Sequence, residues 1–210
     1  MKTTKNTEEL NALQLAHAEA KSQFDQQIAT RSADIATFAR LEDQLLDAER
    51  KVALAAGDEA AVPWPVPPIP SSLSAIKLSD GLRTLLLYAV KGESAPDAKP
   101  ITAVLDFSVC LSVKHGWPND EAIEGHRLHG KGLSVYGGFV VENSKWIEEL
   151  ELGNRVHTNH KPEHFHGYKH FILCLKDETI EVVARSASLE IMQDEVFAVV
   201  SKVLGRLHFQ

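Results

Sequence analysis

The chain is poor in the features that mark secreted, membrane-spanning or nucleic-acid-binding proteins. Only two cysteines occur in 210 residues, Cys110 and Cys174, each inside an apolar run. Two isolated thiols exclude a disulfide framework and a thiolate zinc knuckle, and they fit a reduced, cytoplasmic setting. Long apolar runs are missing. The longest, LLLYAV at 85–90, falls far below the roughly 20 residues that span a bilayer, so no membrane partner is expected. The opening MKTTKNTEELNALQLAHAEAK lacks the apolar core of a signal peptide. A basic excess is absent too. Lys and Arg number 22 against 29 Asp and Glu, for a net charge of −7. Phosphate backbones call for concentrated positive charge, so no nucleic-acid partner is expected either.

Catalytic signatures fail on inspection. HExxH is absent, and the HxH at 164–166 lacks the following glutamate of a cupin-type site. Residues 125–132, GHRLHGKG, fit GxxxxGK, but Gly132 stands where a magnesium-binding hydroxyl is needed. The polar NDEAIE precedes it and a strand pattern follows, so the stretch reads as a mobile basic turn. In GLSVYGG, Tyr136 occupies the second glycine position of a nucleophile elbow. His170 and Cys174 share a strand face but lie four residues apart, about 13 Å, too far for direct activation.

What the chain does have is a long helical signal at its start. Residues 7–56 are rich in Ala, Leu, Glu, Gln and Lys, with neither Gly nor Pro before Gly57. Phe24, Phe38, Leu45 and Val52 recur at multiples of seven, and Ile28 and Ile35 continue a second seam. This is a coiled-coil register, blemished by Arg31, Glu42 and Glu49. The alternative is a turn at TRSAD, 30–34, with Ser32 capping a second helix. An isolated amphipathic helix is marginal in water, so the stripe needs cover. Association with a second copy or a protein partner through residues 7–56 is the favoured expectation, ahead of the helix folding back on itself or onto the rest of the chain.

Residues 57–72, GDEAAVPWPVPPIPSS, concentrate five prolines within eight positions. They read as an extended, semi-rigid linker. Residues 73–210 then alternate between strand and helix patterns. A short helix is expected over DGLRTLLLYAVKG, capped by Ser79 or Asp80. A strand covers ITAVLDFSVCLSV, with Ile101, Ala103, Leu105, Phe107, Val109, Leu111 and Val113 on its buried face and Asp106 on an exposed one. LSVYGGFVVE at 133–142 is a second strand, KWIEELELG a helix, and HFILCL with TIEVVAR a hairpin. ASLEI adds an edge strand. DEVFAVVSKVLGRL closes as an amphipathic helix with Phe197, Val200, Val203, Leu204 and Leu207 on one side. The fold class is α+β: an N-terminal helical or coiled-coil segment, a proline-rich linker, and an antiparallel sheet packed with helices.

One stretch suggests chemistry. HTNHKPEHFHGYKH at 157–170 places five histidines in fourteen residues: His157, His160, His164, His166 and His170. Their three-, two- and four-residue spacings suit shared faces of a helix or strand, and imidazole suits a transition metal such as Zn. The competing readings are an exposed imidazole-rich loop and a proton switch. The leading functional expectation is a soluble, cytoplasmic binding or assembly protein that oligomerises or engages a partner through its N-terminal helix. The rival is a metal-dependent, hydrolase-like enzyme using the 157–170 cluster and a metal-activated water.

Overall fold

The computed structural model describes residues 2–30, 34–69, 75–90 and 99–207. Four α-helices and seven strands follow one another: α1 (Lys2–Thr30), α2 (Ile35–Ala55), β1 (Ala60–Pro63), β2 (Ile76–Ser79), β3 (Arg83–Ala89), β4 (Thr102–Gly116), β5 (Gly138–Glu142), α3 (Lys145–Asn154), β6 (Lys169–Cys174), β7 (Thr179–Met192) and α4 (Val196–Val203). The strands form one sheet in the order β1-β5-β6-β7-β4-β3-β2. Helices beside an antiparallel sheet make the class α+β, as the sequence pattern predicts. The chain divides into two compact units. One comprises Met1–Val62, Arg127–Ser134 and Val141–Ser144. The other comprises Pro63–His126, Val135–Val140 and Lys145–Gln210.

In the first unit the helical signal breaks into two. α1 and α2 lie side by side as a hairpin, with the Phe24 and Phe38 rings 5.0 Å apart across it. The single continuous register over 24–52 is thereby corrected, since Phe24 and Phe38, fourteen apart in sequence, face each other from two helices. Asp34 caps α2, its carboxylate accepting the Thr37 N–H at 2.8 Å and held below the usual Asp range by that bond. The expected cap, Ser32, lies outside the described residues. The half-buried positions of α1 are Leu10, Leu13, His17, Ala20, Phe24 and Gln27. Their alternating spacing of three and four is a heptad seam.

The basic turn is packed where a mobile segment was expected. Leu128 and Leu133 are buried, Arg127 reaches Glu59 at 3.0 Å and Lys131 reaches Asp58 at 2.7 Å. Gly132 donates its N–H to Glu49 at 3.2 Å. Its φ is +87°, and a Cβ there would lie 2.1 Å from the Arg50 side chain. The glycine that spoils a phosphate loop is thus required for packing.

In the second unit, the helix expected over 80–92 is a β-hairpin. β2 and β3 pair antiparallel from Ile76↔Leu87 to Ser79↔Thr84. Asp80 accepts the N–H groups of Leu82 and Arg83 at 2.9 and 2.7 Å, and Gly81 has φ +92°. Asp-Gly between apolar runs is a hairpin-turn signal that outweighs the helix propensity of LLLYA. Residues 91 and 92 of that expected helix lie outside the described residues.

The long strands β4 and β7 form the spine, paired from Thr102↔Met192 to Gly116↔Thr179. ASLEI continues β7 and is not a separate edge strand. β4 alternates cleanly only as far as Phe107. Val109 adopts φ +54° and the register shifts between Cys110 and Ser112. Such a bulge re-aims side chains. Cys110 therefore joins the core with Leu105 and Phe107, while Val109 and Leu111 face outward, against expectation.

One face of the sheet carries Leu86, Tyr88, Leu105, Phe107, Phe171, Leu173, Ile180 and Val182. Trp64, Val66 and Ile69 of the proline-rich segment pack on it, and Tyr88 donates to the Pro67 carbonyl at 3.0 Å. Linker positions 70–72 lie outside the described residues. On the opposite face, α4 covers Leu85, Leu87 and Val104 with Val199, Val203 and Leu207. Phe197 and Leu204, expected on that buried side, are exposed. The helix meets the sheet through a narrower stripe than its sequence offers.

Candidate functional site

The five histidines of 157–170 have different surroundings. His157 is exposed, and its Nδ1 accepts the Asn159 N–H at 3.1 Å. His160 packs on α3, with Nε2 2.9 Å from Glu151 Oε1 and Nδ1 3.0 Å from Asn154 Oδ1. Glu151 is shared with Arg155 at 2.9 Å, and those two partners, Arg155 foremost, hold its carboxyl below the usual range. His164 and His166 are exposed, and the His164 carbonyl accepts from Arg185 at 3.3 Å. His166 lines a shallow cleft of about 270 Å³ with Ile147, Glu148, Glu151, Arg155, Pro162 and Phe165. His170 alone is completely buried. Among the described residues, no group of three or more His, Cys, Asp or Glu is arranged to hold a metal ion.

His170 belongs to a second cluster that sequence spacing does not display. On β6 it lies diagonal to Glu181 of β7, since Ile172 pairs with Glu181 and His170 with Val183. His170 Nε2 is 2.9 Å from Glu181 Oε2, and His126 Nε2 is 3.8 Å from Oε1 of the same carboxylate. All three side chains are at least nine-tenths buried. Lys114 of β4 stands directly opposite Glu181. Trp146, the buried aromatic of α3, packs edge-on against the His170 ring with centroids 5.0 Å apart and receives the Lys114 ammonium 3.9 Å from its own centroid. Contacts like these amount to a buried polar core under a helix. Their period-two placement was visible in TIEVVAR and HFILCL, but the strand register that joins them was not.

Asp106 is likewise buried, where an exposed outer face was expected. Arg83 grips it bidentately, Nε to Oδ1 at 2.8 Å and Nη2 to Oδ2 at 2.6 Å, while Nη1 donates to the Arg206 carbonyl at 3.1 Å. That fork raises the Arg83 pKa and gives the buried carboxyl a bidentate cationic partner. The thiols are inert by environment. Burial pushes Cys174 up to about 12 and Cys110 upward as well, so neither presents a thiolate nucleophile near neutrality. His115 pairs with Glu178, and the Tyr136 hydroxyl donates to Asp120, which raises the phenol's pKa.

The hairpin is the other candidate. No side chain of residues 7–30 is buried, and α2 contributes only Leu41 and Ala53. Ile28 is 52% exposed, Ile35 90% and Phe38 37%. Ile28 follows Phe24 by one helical turn and Ile35 precedes Phe38 by one, so the four apolar groups gather at the turn end of the hairpin. No helix among the described residues is long and apolar enough to cross a membrane. No family model matches the chain, and comparison with curated proteins and with solved structures likewise gives no match.

Proposed function

We propose that the chain is a cytoplasmic binding and assembly protein whose N-terminal helical hairpin docks on a second copy of itself. The observation that carries this reading is the unfinished burial of the hairpin. Along a heptad seam six positions long no side chain of α1 is fully buried, and Ile28, Ile35 and Phe38 stand exposed beside it. Two helices enclose a seam on one side only, and apolar surface left in water favours a further packing partner. Two hairpins placed face to face bury both seams in the manner of a four-helix bundle. A second copy suits the patch because a two-fold contact places each copy's Ile28, Ile35 and Phe38 against an equally apolar surface. In α2 Asp47 is tied to Arg50 and Lys51, and the helix mixes acidic with basic side chains, so it presents no strong single-sign field to repel a like surface.

Light scattering on the full chain, run from low to high micromolar concentration, tests the proposal. At low micromolar concentration the expected mass is at least twice that of the chain, falling there to one chain in the double substitution Ile28→Glu, Ile35→Glu. Both positions are exposed, so the fold itself tolerates the change. A monomeric wild type at every concentration overturns the proposal, as does a double variant that keeps the wild-type mass.

A further inference from the structure

A second contact surface lies in the sheet unit. β7 runs from Thr179 to Met192, and β4 pairs with it along that length apart from the register break. β6 covers the other edge only from Thr179 to Ala184. Among the described residues, no strand pairs with that edge from Arg185 to Met192. An antiparallel edge turns both the N–H and the C=O of alternate residues outward, about four of these eight. Chains commonly guard such an edge with charged side chains, proline or a bulge. Here the charges that flank the stretch are drawn onto the chain itself. Arg185 stacks on the Tyr168 ring at 5.0 Å and donates to the His164 carbonyl, while Glu190 is bound by Arg206 at 2.6 Å. Between them stand Ser186, Ala187, Ser188 and Leu189, with no charge and no proline.

We infer that β7 of one molecule pairs antiparallel with β7 of a second copy about a two-fold axis at Leu189, extending the sheet across the pair. The side-chain pattern selects this occupant. Ala187, Leu189 and Ile191 share the face that carries Leu105 and Phe107, and Leu189 and Ile191 are 41% and 48% exposed. A two-fold at Leu189 sets Leu189 against its own equivalent and each Ala187 against the other copy's Ile191, so three apolar pairs close in one row. Eight strand residues bury less than the roughly 800 Å² per partner of a stable interface, so the contact is weak and depends on concentration.

The experiment uses the full chain carrying Ile28→Glu and Ile35→Glu, which removes the hairpin contact from the readout. Sedimentation equilibrium is expected to show residual dimerisation that L189K weakens by about tenfold or more, because like charges then stand directly opposite each other at the two-fold. L189E is expected to act alike. Mixing the two proteins restores association, because opposite charges then face each other at the two-fold. This recovery also shows that both variants are folded. The inference is overturned if the hairpin variant is monomeric at every concentration, if both Leu189 variants dimerise as it does, or if the mixture fails to associate.

Discussion

The hairpin and the sheet spend similar apolar residues to different ends. In the sheet unit Leu85, Leu86, Leu87, Leu105, Leu173 and Ile180 are wholly removed from water, because the sheet there is packed on both faces. In the hairpin Leu10, Leu13 and Phe24 keep part of their surface in water, because one helix shields another only along a stripe. Buried area is what stabilises a side chain, so the sheet core contributes more per apolar residue than the hairpin seam does.

That contrast is sharpest under truncation. Leu173→Ala in the sheet core is expected to cost about 3 kcal/mol in urea unfolding, since it leaves a cavity among fixed neighbours. Leu13→Ala in α1 is expected to cost less, about 1 to 2 kcal/mol for the monomer, because that side chain keeps part of its surface in water. Equal losses would erase the distinction. The polar core gives the next effect. Glu181→Ala removes the carboxylate shared by His170 and His126 and is expected to cost about 3 kcal/mol. Glu181→Gln keeps an acceptor and is expected to lose less. If neither changes the unfolding midpoint, the buried polar core is not structural.

A smaller effect comes from the hairpin seam. Burial, and then Asp43 nearby, raise the Glu42 pKa, so the folded chain binds that proton more tightly than the unfolded chain. Its contribution to stability is therefore present below the ordinary glutamate pKa and lost as pH rises through the folded value. Glu42→Gln is expected to stabilise the hairpin at neutral pH by less than about 0.5 kcal/mol after allowing for solvent screening, and to be neutral below the ordinary glutamate range. A destabilised variant at pH 7 would reverse the assignment of Glu42 as a flaw in the seam.

The sequence made some of these features legible and hid others for physical reasons. Heptad spacing exposed the seam, and alternation exposed β4, β6 and β7, because both are local periods. The blemishes divide on inspection. Glu42 is a half-desolvated acid, whereas Glu49 receives the Gly132 N–H and has a structural task. Missed features depended on tertiary context. LLLYA is equally compatible with helix and buried strand, and Asp80-Gly81 settles it. The bulge at Val109 and Leu111 inverts a pattern that alternation alone extends without fault. Counting histidines drew attention to 157–170, yet the pair that meets a buried carboxylate is His126 and His170, forty-four positions apart and joined through register.

Hydrogen exchange in α1 addresses the central claim most directly. Amides flanking Leu13, Ala20 and Phe24 are expected to gain protection as protein concentration rises, while those of β3 and β6 stay equally protected throughout. Protection in α1 that is already complete in dilute solution, or that never changes with concentration, would contradict a hairpin completed by a second copy.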